Sequence, residues 1–245
     1  MSQPSQQNSR NSILAALPKA EYQRLVPHLK NVSLNKGQVL HASDTPAEDV
    51  YFLEEGVASL SVRSEKGERL QLSIVGNESV VGERAIFKEG VFIIKCGMLT
   101  EGSGRSMSPE VFHKEFDRGK VLHDLVLGRI EAGITETAQT ALCNQAHMVK
   151  QRLSRWLLTF ADRLHAEELP TTQEAIADML GVTRSEISRA ATELREAGLI
   201  EYVRGRLTIL DRAGLEDQAC ECYRIIKKAL AEFASSKSKK RKAHH

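Results

Sequence analysis

The sequence predicts an α+β fold: an N-terminal antiparallel β-roll, a long helix, and a C-terminal helix-turn-helix followed by a hairpin. Three observations predict it. From Val32 to about Leu99, short apolar runs alternate with turn residues. From about Asp117 to Gln145 a proline-free helical stretch carries an apolar seam. Gln173 to Glu193 has the spacing of two short helices joined at a glycine.

Residues 1–12 are polar and rich in Gln, Ser and Asn, which predicts disorder. They lack the apolar core of a signal peptide, so the expected location is the cytoplasm. Residues 13–116 are expected to form the roll domain. Ile13, Leu14, Leu17, Tyr22, Leu25, Val26 and Leu29 have helical spacing, broken by Pro18 and Pro27 into two short helices. Strands are expected at Val50–Leu53, Val57–Val62 and Leu70–Val75. Turns at Glu55-Gly56, Lys66-Gly67 and Gly76-Asn77 separate them. Many short strands at even spacing indicate a small antiparallel roll. Gly90–Leu99 is one further strand candidate.

Residues 117–146 are expected to form one helix. Leu127, Ile130, Ile134, Thr137, Ala141, Asn144 and Met148 follow one another at alternating steps of three and four, the rhythm of a paired helix. Two readings stay open: homodimerisation through Leu127, Ile130, Ile134, Thr137 and Ala141, or a helix packed on its own roll.

Residues 147–234 carry the clearest signal. Thr171 with Glu174 and Thr183 with Glu186 each read as a capping box opening a helix. Gly181 suits the left-handed turn between the two helices, and Ala177 allows them to cross closely. Ile176, Leu180, Val182 and Ile187 would form the shared core. This is a helix-turn-helix, whose second helix offers Arg184, Ser185, Ser188 and Arg189 outward at its N-terminal end. Arg184 and Arg189 suit bidentate contact with guanine. Gly198 stops the second helix. Ile200–Val203 and Arg206–Leu210 then alternate around Arg204-Gly205, a wing whose arginines would meet phosphates. The expected DNA-facing set is Thr172, Thr183, Arg184, Ser185, Ser188, Arg189, Arg204 and Arg206. A final packing helix is expected from Leu215 to Phe233, and residues 235–245 are expected to be a basic disordered tail.

Composition bounds the function. The 245 residues carry 34 Lys+Arg against 32 Asp+Glu, which excludes a uniformly basic nucleic-acid coat. No apolar run reaches the roughly 18 residues of a membrane span. Cys96, Cys143, Cys220 and Cys222 form no CxxC, so neither a disulfide framework nor a zinc knuckle is expected, and a redox or metal pair at Cys220 and Cys222 is the alternative to buried packing there. Cys220-Glu221-Cys222, taken as helical, would point its thiols to different faces, which suggests buried packing. There is no HExxH, P-loop, nucleophile elbow or GxGxxG, and His165-Ala-Glu-Glu-Leu lacks the second histidine of a zinc protease; an enzyme is not expected.

Roll, long helix and winged helix-turn-helix in this order resemble the CRP/FNR family of bacterial transcription regulators over about residues 20–212. The roll is similar to a cyclic-nucleotide-binding domain at Lys36-Gly37, Val50-Tyr51-Phe52-Leu53, Glu55-Gly56-Val57, Lys66-Gly67-Glu68 and Val81-Gly82-Glu83-Arg84-Ala85-Ile86-Phe87. The resemblance implies a homodimer on palindromic double-stranded DNA, RNA polymerase as a partner, and an effector pocket around Val81, Gly82, Glu83, Arg84, Ala85, Ile93 and Ile94. In the family manner Glu83 would meet a ribose hydroxyl; without a cyclic nucleotide there, it reads as a structural turn residue or part of a different pocket. The family's phosphate-holding Arg followed by Ser or Thr falls on Ile93-Ile94, so cyclic AMP bound in the family manner is not expected. The recognition helix departs as well, with Ser185 where the family often has Glu. Without cysteines in residues 1–40, an iron–sulfur centre is not expected. No cofactor is expected, while haem ligation by His41, His113, His123 or Cys96, or another small effector, stays open. The alternative to a regulator is a ligand-binding or protein-interaction module with a merely structural helix-turn-helix.

Overall fold

The computed structural model describes residues 9–86 and 93–243. Helices α1 (Ser12–Ala16) and α2 (Lys19–Leu25) precede eight strands: β1 (Lys30–Leu34), β2 (Val39–His41), β3 (Val50–Glu55), β4 (Ala58–Arg63), β5 (Arg69–Val75), β6 (Val80–Val81), β7 (Lys95–Met98) and β8 (Gly102–Met107). They form two four-stranded sheets, ordered β1-β8-β3-β6 and β2-β7-β4-β5, with antiparallel pairing throughout. Leu34, Leu53 and Val81 from one sheet meet Leu40, Ala58, Val75, Cys96 and Met98 from the other in a shared core. The α+β architecture is as the sequence predicts. Of the Gly90–Leu99 strand candidate, only Lys95–Met98 is strand; residues 87–92, and with them Phe87, lie outside the described residues.

The expected disorder of residues 1–12 does not hold at its end. Asn11 is fully buried and caps α1, and its amide donates to the carbonyls of Leu53 (2.9 Å) and Ser79 (2.8 Å). Residues 1–8 lie outside the described residues.

The roll is followed by α3 (Pro109–Phe116), α4 (Val121–Ala146) and α5 (Val149–Leu164). The long helix begins at Val121 rather than Asp117. The Glu21 carboxylate accepts from the free N–H groups of Val121 (3.2 Å) and Leu122 (3.1 Å), which fixes the start. One side of α4 buries Leu125, Val126 and Ala132. The seam residues divide between two neighbours. Ile130 packs against the roll and its helices, whereas Leu127 (43% exposed), Ile134 (65%) and Met148 (69%) face outward together with Ala141.

The remaining elements are β9 (Glu168–Leu169), α6 (Gln173–Leu180), α7 (Arg184–Glu196), β10 (Ile200–Val203), β11 (Arg206–Ile209), α8 (Arg212–Gln218) and α9 (Cys222–Ala243). The small sheet runs β10-β11-β9. The single expected C-terminal helix is in fact two, broken at Ala219-Cys220. The second runs to Ala243 instead of giving way to a disordered tail at 235, in keeping with a stretch free of Gly and Pro. Phe233 of α9 packs on Gly128 of α4.

The two halves of the chain share a core. Val57 and Ile74 of the roll join the cluster built by α5, α6, α7 and the small sheet. Trp156 donates through Nε1 to Gln71 Oε1 (2.5 Å), and Lys36 donates through Nζ to the Pro170 carbonyl (3.0 Å). A buried charge network crosses the same boundary. Arg163 of α5 pairs with Glu78 (2.9 Å) and with Glu136 of α4 (3.4 Å), and donates to the Ile74 carbonyl (3.2 Å). Arg129 of α4 lies 3.8 Å from Glu78 and 4.0 Å from Glu136. Burial alone would raise the Glu78 carboxyl, but the Arg163 and Arg129 guanidinium groups outweigh it and hold its pKa below the ordinary value.

Candidate nucleic-acid interface and sensor cavity

α6 opens one residue later than its expected cap. Thr172, not Thr171, is the N-cap, its hydroxyl accepting from Ala175 N (3.1 Å). Thr171 is buried, and its carbonyl accepts from the Tyr202 hydroxyl (3.4 Å). The turn behaves as expected: Gly181 has φ +62°, a left-handed conformation that glycine adopts without strain, and Val182 N reaches the Ala177 carbonyl (3.1 Å). The capping box of α7 is complete. Thr183 Oγ1 accepts from Glu186 N (3.3 Å), and Glu186 Oε2 accepts from Thr183 N (2.8 Å). These hydrogen bonds from Thr183 hold the Glu186 carboxyl below its ordinary pKa, which keeps it a cap. Ile176, Ala177, Leu180, Ile187, Ala190 and Leu194 form the buried seam of the pair, with Val182 half-buried beside it.

Packing that seam inward turns the other face of α7 outward. Thr172, Thr183, Arg184, Ser185 and Arg189 are exposed, and Ser188 is half-buried. Ser185 Oγ lies 3.0 Å from Thr183 Oγ1. Among the described residues no carboxylate pairs with Arg184, Arg189 or Arg204. The wing turns at Arg204 (φ +47°) and Gly205 (φ +82°), the two left-handed residues of a tight hairpin. The structure separates the two wing arginines in role: Arg204 stands free at the tip, while Arg206 is tied to Glu168 of β9 at 2.5 Å. Arg206 must give up that exposed pair before it can meet a phosphate.

A cavity of about 440 Å³ lies between the roll and α4. Of the expected effector residues, Val81, Glu83 and Ile94 line it. Ile93 does not; it is 68% exposed. Gly82 lies against the His41 ring and Ala85 packs with the α-helical cluster behind the sheet. The Arg84 side chain lies outside the described residues. Three residues expected at the helix seam, Ile130, Ile134 and Thr137, also line the cavity, so the outward stripe and the cavity mouth are continuous. Sequence reading missed Arg129, whose guanidinium supplies a cation at the wall. Its signal was a lone Arg in an otherwise apolar stretch of the long helix. The candidate haem ligands do not converge: His113 pairs with Asp117 (3.2 Å), His123 with Asp124 (3.2 Å), and only His41 and Cys96 are neighbours, across β2 and β7.

The structure also corrects the reading of the other cysteines. Cys220 and Glu221 lie in the turn before α9, so the Cys220 and Cys222 thiols converge instead of facing apart. Cys143 meets Cys220 at 3.5 Å, and Cys222 meets His147 Nδ1 at 3.5 Å. The hydrogen bond from Cys220, together with the Arg155 charge, favours the Cys143 thiolate, whose pKa falls to about 5; the same contact and burial hold Cys220 protonated.

Comparison with known proteins agrees with this layout. Residues 31–119 match the cyclic nucleotide-binding domain and residues 151–218 match the Crp-like helix-turn-helix domain. A CRP-like cAMP-activated global transcriptional regulator of Mycobacterium tuberculosis is 23% identical over 220 residues, covering 86% of this chain and 97% of the relative. The transcriptional regulator LdrP of Thermus thermophilus is 25% identical over 193 residues, covering 74% of this chain and 93% of the relative. Among solved structures, a CRP/FNR-family protein from Eubacterium rectale superposes with TM-score 0.68 at 18% identity, covering 84% of this chain and 96% of its own. The c-di-GMP responsive global regulator CLP of Xanthomonas campestris superposes with TM-score 0.65 at 17% identity, covering 78% of this chain and 99% of its own. With both domain types present in order around α4, the chain belongs to the CRP/FNR family of DNA-binding transcription regulators.

Proposed function

We propose that the protein is a homodimeric, sequence-specific regulator that reads a palindromic operator with Arg184, Ser185, Ser188 and Arg189 of each α7. The observation that carries this is the pair of exposed arginines on α7, without carboxylate partners among the described residues, on the face left free by the buried helix-turn-helix seam. Arg204 would follow the backbone beside the groove, with Thr172 and Thr183 at the helix starts as further phosphate donors. Arg206 would join after leaving Glu168. RNA polymerase is the partner such a regulator would act on.

The dimer reading rests on Leu127, Ile134 and Leu142 of α4 and Met148 just beyond its end, all at least 43% exposed. Each large apolar side chain withdrawn from water contributes roughly 1.5–3 kcal/mol, so this stripe favours pairing with a second α4. Ile134→Glu is expected to give monomers by sedimentation. Operator affinity should fall by about a hundredfold or more as two linked half-site contacts become independent. A dimeric Ile134→Glu protein would refute the seam.

The effector reading is a largely apolar small molecule. Leu60, Val75, Val81, Ile94, Ile130 and Ile134 dominate the cavity wall, and the cation there, Arg129, already has Glu78 and Glu136 beside it. Relatives of this fold carry names tied to cAMP and to c-di-GMP, so the architecture alone does not select the ligand. The regulator reading is tested by binding of fragments from the protein's own promoter at two salt concentrations. One fragment should be held above random DNA at both, with affinity falling as salt rises. Equal binding to every fragment would favour a structural helix-turn-helix.

A further inference from the structure

We propose that Cys143, His147, Cys220 and Cys222 form a tetrahedral Zn²⁺ site at the joint between α4, α5 and α9, a site separate from the DNA-reading surface and from the roll cavity. The four ligand atoms, three Sγ and one imidazole nitrogen, all lie within 4.8 Å of one another. Zinc bound to sulfur at about 2.3 Å spaces its thiolates about 3.8 Å apart, so the 3.5 Å separations seen here need only sub-ångström adjustment. An iron–sulfur core, which inserts several irons and sulfides between its cysteines, needs a wider set of thiolates than this.

The surroundings fit an ion with three thiolates. His147 presents Nδ1 to Cys222, and its other ring nitrogen, Nε2, lies 3.3 Å from the Glu221 carboxylate. A carboxylate behind a histidine is the usual way a metal ligand is held in one tautomer and orientation. Gln139 donates through Nε2 to Cys222 Sγ at 3.2 Å, satisfying a second lone pair of that sulfur. Cys143, Cys220 and Cys222 are at most 4% exposed, which closes the site to a fifth ligand and marks it as structural.

Charge gives an independent argument. Arg152 and Arg155 of α5 are 7% and 5% exposed, and neither closes a salt bridge with a carboxylate among the described residues, although the Glu186 charge acts on Arg152. The Nε of each lacks a hydrogen-bond partner, and both charges act on Cys143. Two guanidinium groups buried this deeply call for negative charge beside them. Three thiolates and a neutral imidazole around Zn²⁺ leave one net negative charge beside them. Arg152 also donates to the Leu180 carbonyl at the end of α6, so the site's counter-charge reaches the helix-turn-helix. Zinc would thus fasten the turn between α4 and α5 to α9.

The test is a Co²⁺ titration of the full-length, reduced protein. Saturation at one Co²⁺ per chain is expected, with near-ultraviolet thiolate-to-cobalt absorption, the intense visible bands of a tetrahedral ion, and displacement by Zn²⁺. Glu221→Ala changes a half-exposed residue and should keep the fold while weakening Co²⁺ binding about 10–100-fold. Cys220→Ser should remove most of the charge-transfer absorption, and Cys96→Ser in the roll should leave it intact. Absence of thiolate-to-cobalt absorption in the reduced wild-type chain would overturn the proposal. So would undiminished absorption in Cys220→Ser, or a Cys143–Cys220 disulfide recovered in place of bound metal.

Discussion

Replacing Arg184 and Arg189 together by Ala is expected to remove sequence-specific DNA binding while leaving the melting temperature unchanged. Both side chains are exposed and neither closes a salt bridge among the described residues, so the folded chain loses little beyond the attraction of Arg189 for Glu186. The cap and core of α7 rest on Thr183, Glu186 and Ile187 instead. A bidentate guanidinium–guanine contact carries about 1–3 kcal/mol of discrimination. Losing two should weaken operator binding by at least roughly 30-fold, a factor that doubles in exponent for a dimer. Weak, salt-sensitive attraction to random DNA should persist, because Arg204 and the other backbone-facing groups remain. Fluorescence anisotropy with operator and scrambled duplexes separates the two terms. A variant that still prefers the operator would show that bases are read elsewhere.

Arg163→Met is expected to destabilise the fold by about 3–5 kcal/mol, the usual cost of breaking a buried ion pair from one side. It leaves Glu136, which is 2% exposed, and Glu78 with Arg129 alone, and it removes the bond to the Ile74 carbonyl. Urea unfolding measures the loss. Adding Glu136→Gln to Arg163→Met should recover part of it, since the orphaned charge is then gone. The network also sets an acid limit. The native Glu78 carboxyl lies below its unfolded value of about 4.3, so its contribution is complete above that pH. The contribution is lost as pH falls through the lower native value. Wild type should therefore lose stability below about pH 4, and Arg163→Met should show a shallower acid slope. An unchanged slope would exclude Glu78 as the titrating group.

What the sequence revealed follows from the range of the interactions involved. The helix-turn-helix was legible because its signals are local: Gly181 at the turn, the Thr183–Glu186 box, and a seam with helical spacing. The first box was misplaced by one residue because two threonines follow Pro170 and the choice between them is made at a distance. Tyr202 and the small sheet hold Thr171 in the core, which leaves Thr172 to cap. Order at Asn11 depends on carbonyls 42 and 68 residues away. The start of α4 depends on Glu21, about 100 residues earlier in the chain. The thiol cluster joins Cys143 to Cys220, 77 residues apart, and was hidden by reading Cys220-Glu221-Cys222 as continuous helix. The roll cavity fell between these cases. Its Val81–Glu83 wall was visible as a motif, but its far wall comes from α4.

The ion pair between Glu78 and Arg163 has a consequence for how such proteins can be recombined. Arg163 belongs to the helix that opens the DNA-reading half, and Glu78 to the roll. Cut at the joint after α4, either half would carry away a charge whose partner stays on the other. A chimera that grafts this DNA-reading half onto a foreign sensor must bring along, or rebuild, an acid at the position of Glu78.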